Sequence, residues 1–434
     1  MKKVEYQEQL DKLESFFKAG ETNQQKLGVE FEHFIVEQSS WRAIDYREDD
    51  GIEDILEELA QKGWEKNEEN GHLVGLTSQQ AEVTLEPGGQ IEASSHPQKE
   101  IKKLEEVYST FLTDLIPILD KKGYYLITTG YQPKSKIDQI EWNPKQRYQI
   151  MSNYLESKGS CAHNMMKGTA ALQVALDYED ESDFIHKFRI ANALSPLFAI
   201  LTDNAPVFEG EVYPQQTVRT HIWDNTDPAR TGIIEEAFAE DFGYRKYAEY
   251  ILTREPILLK SNDQYLATGD QTCREIFEED ELGSEELEHI LTMVFPDVRL
   301  KHFIEIRMTD SIPPDLSWAM VALYKGLFYD QQNLERLYQL VEGFSLEEVL
   351  AARKNSMVDG LDAMLGDYKL IDLAAQLLEW AKVGLSDSEV DYLEPLADII
   401  DSKETLADQI KSKLQAGRTE AFKRDILNLY LEGE

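Results

Sequence analysis

The 434-residue sequence predicts an α+β fold: a mostly antiparallel sheet covered by helices, followed by an all-helical C-terminal region. Three observations predict it. Strand-like segments at 72–76, 80–86 and 89–94 are separated only by the turn residues Thr77-Ser78 and Pro87-Gly88-Gly89, the pattern of consecutive hairpins. The remaining strands alternate with helices, but without the regular repeat of a parallel βαβ array. Beyond about residue 313 only helical patterns remain, six or so, broken near Gly360, Gly366, Gly384 and Gly417. We therefore expect an α+β domain over 1–330 that houses any active site, and a helical region over 331–434 packed on it.

Taken in order, residues 5–19 place Leu10, Leu13, Phe16 and Phe17 on one side of an amphipathic helix. LGVEFEHFIV at 27–36 reads as a strand, and 52–62 as a helix behind a charged loop. Pro97 opens a long helix striped by Ile101, Leu104, Tyr108, Phe111 and Leu115. Strands are expected at 124–131, 168–178 and 298–308, and helices at 145–157 and 181–203. The stretch 207–240 is irregular and polar, and irregular stretches of that length are usually functional or mobile. The run EEDELGSEELE at 278–288 reads as a solvated helix start.

Apolar residues at 42% and aromatics at 10% exclude general disorder. No run of eighteen apolar residues suggests a membrane span. The N-terminal segment lacks the apolar stretch of a secretory signal, which points to a cytoplasmic protein. Cys161 and Cys273 cannot build a disulfide framework, and no CxxC exists. Asp plus Glu number 82 against 44 Lys plus Arg, a net charge of −38, which repels nucleic acid and anionic lipid. Most of that charge reads as solubility; the sharper reading is that some carboxylates hold hard metal ions.

Positions of the acids decide between these. Side chains two apart on a strand share a face. Glu30 and Glu32 therefore point one way while Val29, Phe31 and Ile35 point the other. Glu82, Thr84 and Glu86 share a face, as do Gln90, Glu92 and Ser94, and as do Glu305 and Arg307. Gln173 lies opposite Leu172, Val174 and Leu176. For a single strand, such acids read as solvent-facing. Repeated over four strands with almost no lysine among them, they favour metal binding, because like charges side by side repel. Oxygen donors without Cys or His suit Mg²⁺, with Mn²⁺ as the alternative. Magnesium usually bridges carboxylates and phosphates, which implies ATP or a similar polyphosphate. No Walker A loop or GxGxxG is present, so the phosphates are expected on the carboxylate-rich sheet.

The segments GVEFEHFIV, TLEPGGQIEAS, GYQPK, NPKQRYQIMSNYL, MMKGTAALQVALDY, FRIANALSPLFAILTDNAP, RTHIWDNTDPARTG and FIEIRMTDS follow one another as the signature segments of plant-type glutamate–cysteine ligase do. The sequence resembles that family from about residue 24 to about 330. The resemblance implies a glutamine-synthetase-like catalytic sheet and an ATP-consuming reaction that joins the γ-carboxylate of glutamate to the amine of cysteine. It implies that Glu30, Glu32, Glu86, Glu92, Gln173 and Glu305 hold magnesium, and that Lys145 and Arg147 lie near the nucleotide. It also implies that Arg219 and Arg307 hold the substrate and the transferring phosphoryl group. Arginine suits that task, since its planar fork pairs bidentately with carboxylate or phosphate. Trp223 either lines the substrate pocket or anchors its loop. Ser152, where plant members commonly have arginine, and the stretch 159–164 depart from the pattern and bear on the choice of amine.

Other features read as structural. Cys161 and His163 lack an orienting third group, Cys273 and Met165-Met166 read as core, and His33 points with the apolar face of its strand. Two alternatives to glutamate–cysteine ligase stand: a γ-glutamyl ligase for another amine, and a relative that binds amino acid or nucleotide without turnover. The sequence does not fix the oligomeric state.

Overall fold

The computed structural model describes residues 4–261, 264–279, 283–418 and 420–431. Its centre is a nine-stranded sheet. The strands β1 (Leu27–Glu37), β2 (Glu65–Glu69), β3 (His72–Thr77), β4 (Ala81–Leu85), β5 (Ile91–Ser95), β6 (Tyr124–Ile127) and β7 (Leu172–Leu176) are joined by a hairpin of Val298–Leu300 and Ile304–Ile306. The order is hairpin–β7–β1–β5–β4–β3–β2, with β6 also paired to β1, and every pairing in this sheet is antiparallel. The expected α+β class and antiparallel layout are borne out.

Alternation along β1 separates the two faces. Val29, Phe31, His33 and Ile35 are buried on the core side. Phe31 stacks on Tyr108 at 4.0 Å and meets Trp318 edge-on at 5.3 Å. His33 shares a 2.9 Å hydrogen bond with Tyr108, so it is a satisfied core histidine. The largest apolar cluster runs from Leu10 to Leu427 and takes in the long helix Ile101–Lys122 and the helices Pro314–Phe328 and Leu370–Gly384. A second cluster, with Tyr148, Met151, Met165, Met166, Val218, Ile222 and Met293, faces the opposite side of the sheet. The cleft described below lies between that cluster and the acidic face.

Several expected elements differ in extent. The single strand at 298–308 is a hairpin turning at 301–303, which sets Arg299 opposite Glu305. The helix at 181–203 is two helices, Glu181–Ala193 and Ser195–Leu201, because Pro196 cannot donate to the preceding turn. The strand at 168–178 starts later, since Ala162–Gly168 is helical. The irregular stretch holds a helix, Val218–Asp224, and a small hairpin at 207–212. The helical region also contains a short hairpin, Met364–Leu365 with Tyr368–Lys369. Of the acidic run at 278–288, residues 280–282 lie outside the described residues, and a helix spans Ser284–Leu291. The strand β2 was not foreseen, because EKNEE has no apolar alternation.

The C-terminal turn is wired into the centre of the molecule. The main-chain oxygen of Asp425 accepts from Thr128 N at 2.9 Å, and its side chain accepts from Asn204 Nδ2 at 2.9 Å. Burial pushes the Asp425 carboxyl up to about 7 from an ordinary 3.8. The folded chain therefore keeps a proton that the unfolded chain loses, so stability from this group is full below about pH 4 and is lost as pH rises toward 7. Asp425→Asn retains the acceptor and removes the charge. Its unfolding free energy, read by denaturant titration, should match the parent at pH 4 and exceed it at pH 8 by on the order of 1–3 kcal/mol, with a higher midpoint. Equal midpoints at pH 8 would refute this.

Candidate active site

The acidic strip is set by strand register. Glu30 pairs across to Gln173 on β7 and Ser94 on β5, and Glu32 pairs across to Glu92. Glu92 in turn faces Thr84 on β4. Glu86 follows β4 in the Pro87-Gly88-Gly89 turn, where a Cβ on Gly88 would meet the backbone of Lys167 at 2.6 Å, so only glycine fits. Glu30, Glu32, Glu86, Glu92, Gln173, Lys145, Arg147, Arg219, Trp223 and Arg307 all line one cleft of about 450 Å³. Trp223 is thus on the pocket wall, and it packs on the second apolar cluster as well.

Burial and mutual repulsion outweigh the cations that face the strip, which are Lys301 and Arg307 at Glu30, Arg219 and Arg307 at Glu32, and Lys145 at Glu92. Burial, then the charges of Glu92 and Glu305, push Glu30 up to about 8. Burial and the charges of Glu86 and Glu92 raise Glu32 well above the usual carboxylate range. Burial and Glu86 raise Glu92. Glu32 is held by Ala171 N at 2.8 Å and Gln173 Nε2 at 2.9 Å, while Thr84 Oγ1 donates to Glu92 at 3.0 Å. Such a strip fits a hard divalent cation by its donor chemistry. Among the described residues, no three acidic, histidine or cysteine side chains converge on a single point. A cation would therefore draw Glu30, Glu32, Glu86 and Glu92 inward, and its binding would release protons from the three whose pKa is raised, Glu30, Glu32 and Glu92.

Basic borders flank the strip. On the β4 side, Lys145 Nζ donates to the carbonyl of Leu85 at 2.8 Å and Arg147 Nη2 to Tyr148 Oη at 3.2 Å. Burial and the neighbouring Arg147 lower Lys145 to about 8. On the hairpin side, Arg307 Nη1 donates to Gln173 Oε1 and, at 3.1 Å, to Glu305 Oε2. Arg219 Nη1 donates to the carbonyls of Met308 and Thr309 at 3.0 Å each, leaving its Nε without a partner. Nη1 also meets Asp310 Oδ1 at 3.4 Å and Nη2 the carbonyl of Arg307 at 3.5 Å, so Arg219 is tied to the chain leaving the hairpin while it lines the cleft.

Glu305 is placed differently from the other acids. It is buried and absent from the cleft wall, with Arg299 Nη2 and Lys301 Nζ each at 2.6 Å and Arg307 at 3.1 Å. Burial works to raise its pKa, but these three cations together hold it well below the usual range. Sequence spacing pairs Glu305 with Arg307 but not with Arg299, because the hairpin turn is needed to bring the latter across. Ser152 also turns away from the cleft: its hydroxyl donates to the carbonyl of Gln149 at 3.2 Å. Met165 and Met166 fill the core as expected and also line the cleft. Glu69, Tyr148, Tyr265, Thr292, Met293, Arg299 and Lys301 on the wall escaped sequence reading. They lie on segments whose meeting depends on the fold, and only RYQIM around Tyr148 carried a signal.

The sequence model of Glutamate-cysteine ligase family 2 (GCS2) matches residues 26–426. The chain belongs to that family. Glutamate–cysteine ligase B of Oryza sativa subsp. japonica, a chloroplastic protein, is 32% identical over 396 residues, covering 89% of this chain and 79% of the relative. The chloroplastic glutamate–cysteine ligase of Arabidopsis thaliana is 31% identical, with 89% and 75% covered. The fold is similar to the crystal structure of glutamate–cysteine ligase from Francisella tularensis in complex with AMP, with a TM-score of 0.59, 11% identity, and 93% and 88% of the two chains covered. It is also similar to a bifunctional glutathione synthetase from Pasteurella multocida, with a TM-score of 0.54, 11% identity, and 95% and 52% covered. Family membership makes the chain an enzyme, an ATP-dependent ligase of the glutamate–cysteine ligase type. The expectation of a cytoplasmic protein is overturned by the plant relatives, which are chloroplastic. The missing apolar stretch bears on secretory export alone and does not distinguish one aqueous compartment from another.

Proposed function

We propose that the cleft binds glutamate, ATP and a divalent cation, and forms the amide between the glutamate γ-carboxylate and the amine of cysteine through a γ-glutamyl phosphate. The observation that carries this reading is the acidic strip between two basic borders in one cleft. A carboxylate is a poor electrophile and must be activated before an amine can displace one of its oxygens. Magnesium, when bound, would supply charge neutralisation for the crowded phosphate oxygens. Glu30, Glu32, Glu86 and Glu92 would hold it, with Gln173 offering its second lone pair. Glu305 would join them only if its bonds to Arg299, Lys301 and Arg307 opened.

Lys145 and Arg147 orient the nucleotide phosphates from the β4 side, and Tyr148 keeps both cations in place by cation–π contact. Arg307 faces the developing negative charge at the transferred phosphoryl group, and Arg219 binds a carboxylate of glutamate. A non-catalytic role is disfavoured because buried like charges are costly without a cation to justify them.

The test supplies glutamate, ATP and magnesium with each amine in turn and reads ADP release and product mass. Cysteine is expected to be joined, and 2-aminobutyrate within a factor of about a hundred of it, since one small apolar group is worth about 1–3 kcal/mol. If neither reacts while a bulkier or charged amine does, cysteine is not the acceptor. If no amine releases ADP, the ligase reading fails for this chain.

A further inference from the structure

The arginines on the hairpin side of the cleft come from separate elements. The helix Val218–Asp224 carries Arg219 and Trp223, and the hairpin and its exit carry Arg299 and Arg307. Each element has an acid at its edge: Asp224 ends the helix, and Asp297 precedes the hairpin. Arg353, on the helix Leu346–Asp359 of the C-terminal region, spans the gap. Its Nε and Nη2 each lie 2.9 Å from Asp224 Oδ1, and its Nη1 bonds Asp297 Oδ2. Asp297 also accepts from Ser195 Oγ, and its carbonyl accepts from Arg307 N at 2.9 Å. Arg353 and Asp297 are both buried. A small recess off the cleft is walled by Arg219, Trp223, Phe295, Asp297, Arg307 and Arg353.

We propose that Arg353 is a positioning residue that fixes the separation of Arg219 and Arg307 and thereby the fit of a carboxylate-bearing amino acid against them. This rests on the ligase reading of the cleft. The guanidinium of Arg353 is committed to two acids, so it acts through the elements it joins. A planar fork can satisfy both acids at once, whereas an ammonium is a point charge that favours one. Arg219 also bonds the carbonyls of Met308 and Thr309 directly, so releasing either arm of Arg353 removes one of two braces. Since about 1 Å of displacement in a positioned group costs about a hundredfold, the smaller shift left by the remaining brace corresponds to about tenfold.

The experiment compares the full chain with Arg353→Lys and Asp224→Asn. The affinity for glutamate is read by calorimetric titration and by KM, the KM for ATP by steady-state kinetics, and folding by thermal midpoint. Both variants are expected to weaken glutamate about tenfold with the KM for ATP changed less than twofold. Glutamate affinity within twofold of the parent in both variants overturns the proposal. So does a fall in kcat alone that follows the loss of folded protein. If the lysine variant fails to fold, Asp224→Asn decides, because the Asp224 side chain is 34% exposed and its neutralisation leaves the Arg353–Asp297 bond in place. A parent that binds glutamate but releases no ADP refutes the ligase reading alone, and the clamp is then judged on the binding data.

Discussion

Glu32→Gln is expected to lower turnover about a thousandfold while the protein stays folded. Glu32 sits mid-strip, between Gln173 on one neighbouring strand and Glu92 on the other. Replacing its carboxylate by an amide removes a full charge from the ligand set proposed for magnesium and leaves phosphate charge uncompensated in the transition state. A loss of about 4 kcal/mol there corresponds to the thousandfold. The cost to the fold is small. The amide keeps one acceptor for Ala171 N or Gln173 Nε2 and gives up the other, a loss of about 1 kcal/mol. Against it stands the removal of a buried carboxylate whose pKa burial and two neighbouring glutamates already raise. The thermal midpoint without metal should therefore shift by only about 1 °C. Manganese titration gives an independent readout: the parent should release protons as the ion binds, and the variant fewer. Normal turnover with unchanged metal affinity would remove Glu32 from the ligand set.

How much of this was legible in the sequence depends on the range of the signal. The acid strip was legible because strand alternation is local: Glu30 and Glu32 share a face whatever their neighbours do. The order of strands was not, since EKNEE at 65–69 has no periodicity and joins the sheet only by completing its edge. Arg299 was missed for a related reason. Reading 298–308 as one strand puts Arg299 six residues from Glu305 along the chain, whereas the hairpin sets them directly opposite. Arg353 had no local signal at all. It lies mid-helix in the region where the resemblance is weakest, and its partners Asp224 and Asp297 are 129 and 56 residues away. Lys145 and Arg147 were found through the resemblance, and their geometry adds what sequence cannot: burial lowers Lys145 to about 8, so its charge near neutral pH depends on what it faces.

Arg307→Lys is expected to lower kcat by about a hundredfold or more. The guanidinium lies at the junction of the acidic strip and the hairpin. Its Nη1 reaches both Gln173 and Glu305, and its Nε, buried, has no partner. Burial and the neighbouring Arg299 lower its pKa from the ordinary arginine range against the opposing pull of Glu305, Glu30 and Glu32, and it shares the one carboxylate of Glu305 with Arg299 and Lys301. A charge in that state gains most from an anion that forms during the reaction. It also fixes Gln173: with Oε1 accepting from Arg307, the amide must present Nε2 to Glu32. Lysine could meet either partner from its one nitrogen, as Nη1 does, but as a point charge it favours Glu305 over Gln173, and it has no counterpart of Nη2 and Nε with which to present a fork to an anion. Gln173 would then be free to flip, which disturbs Glu32 as well as the phosphoryl contact. The effect should therefore fall on kcat with the KM for ATP nearly unchanged, because the residues proposed to hold the nucleotide, Lys145 and Arg147, lie on the opposite border. Arg307→Met should be at least as slow and also less stable, since it leaves Glu305 with two of its three cations. A lysine variant with parental kcat would show that the planar fork has no part in the reaction and that Arg307 serves only as a counter-charge for Glu305.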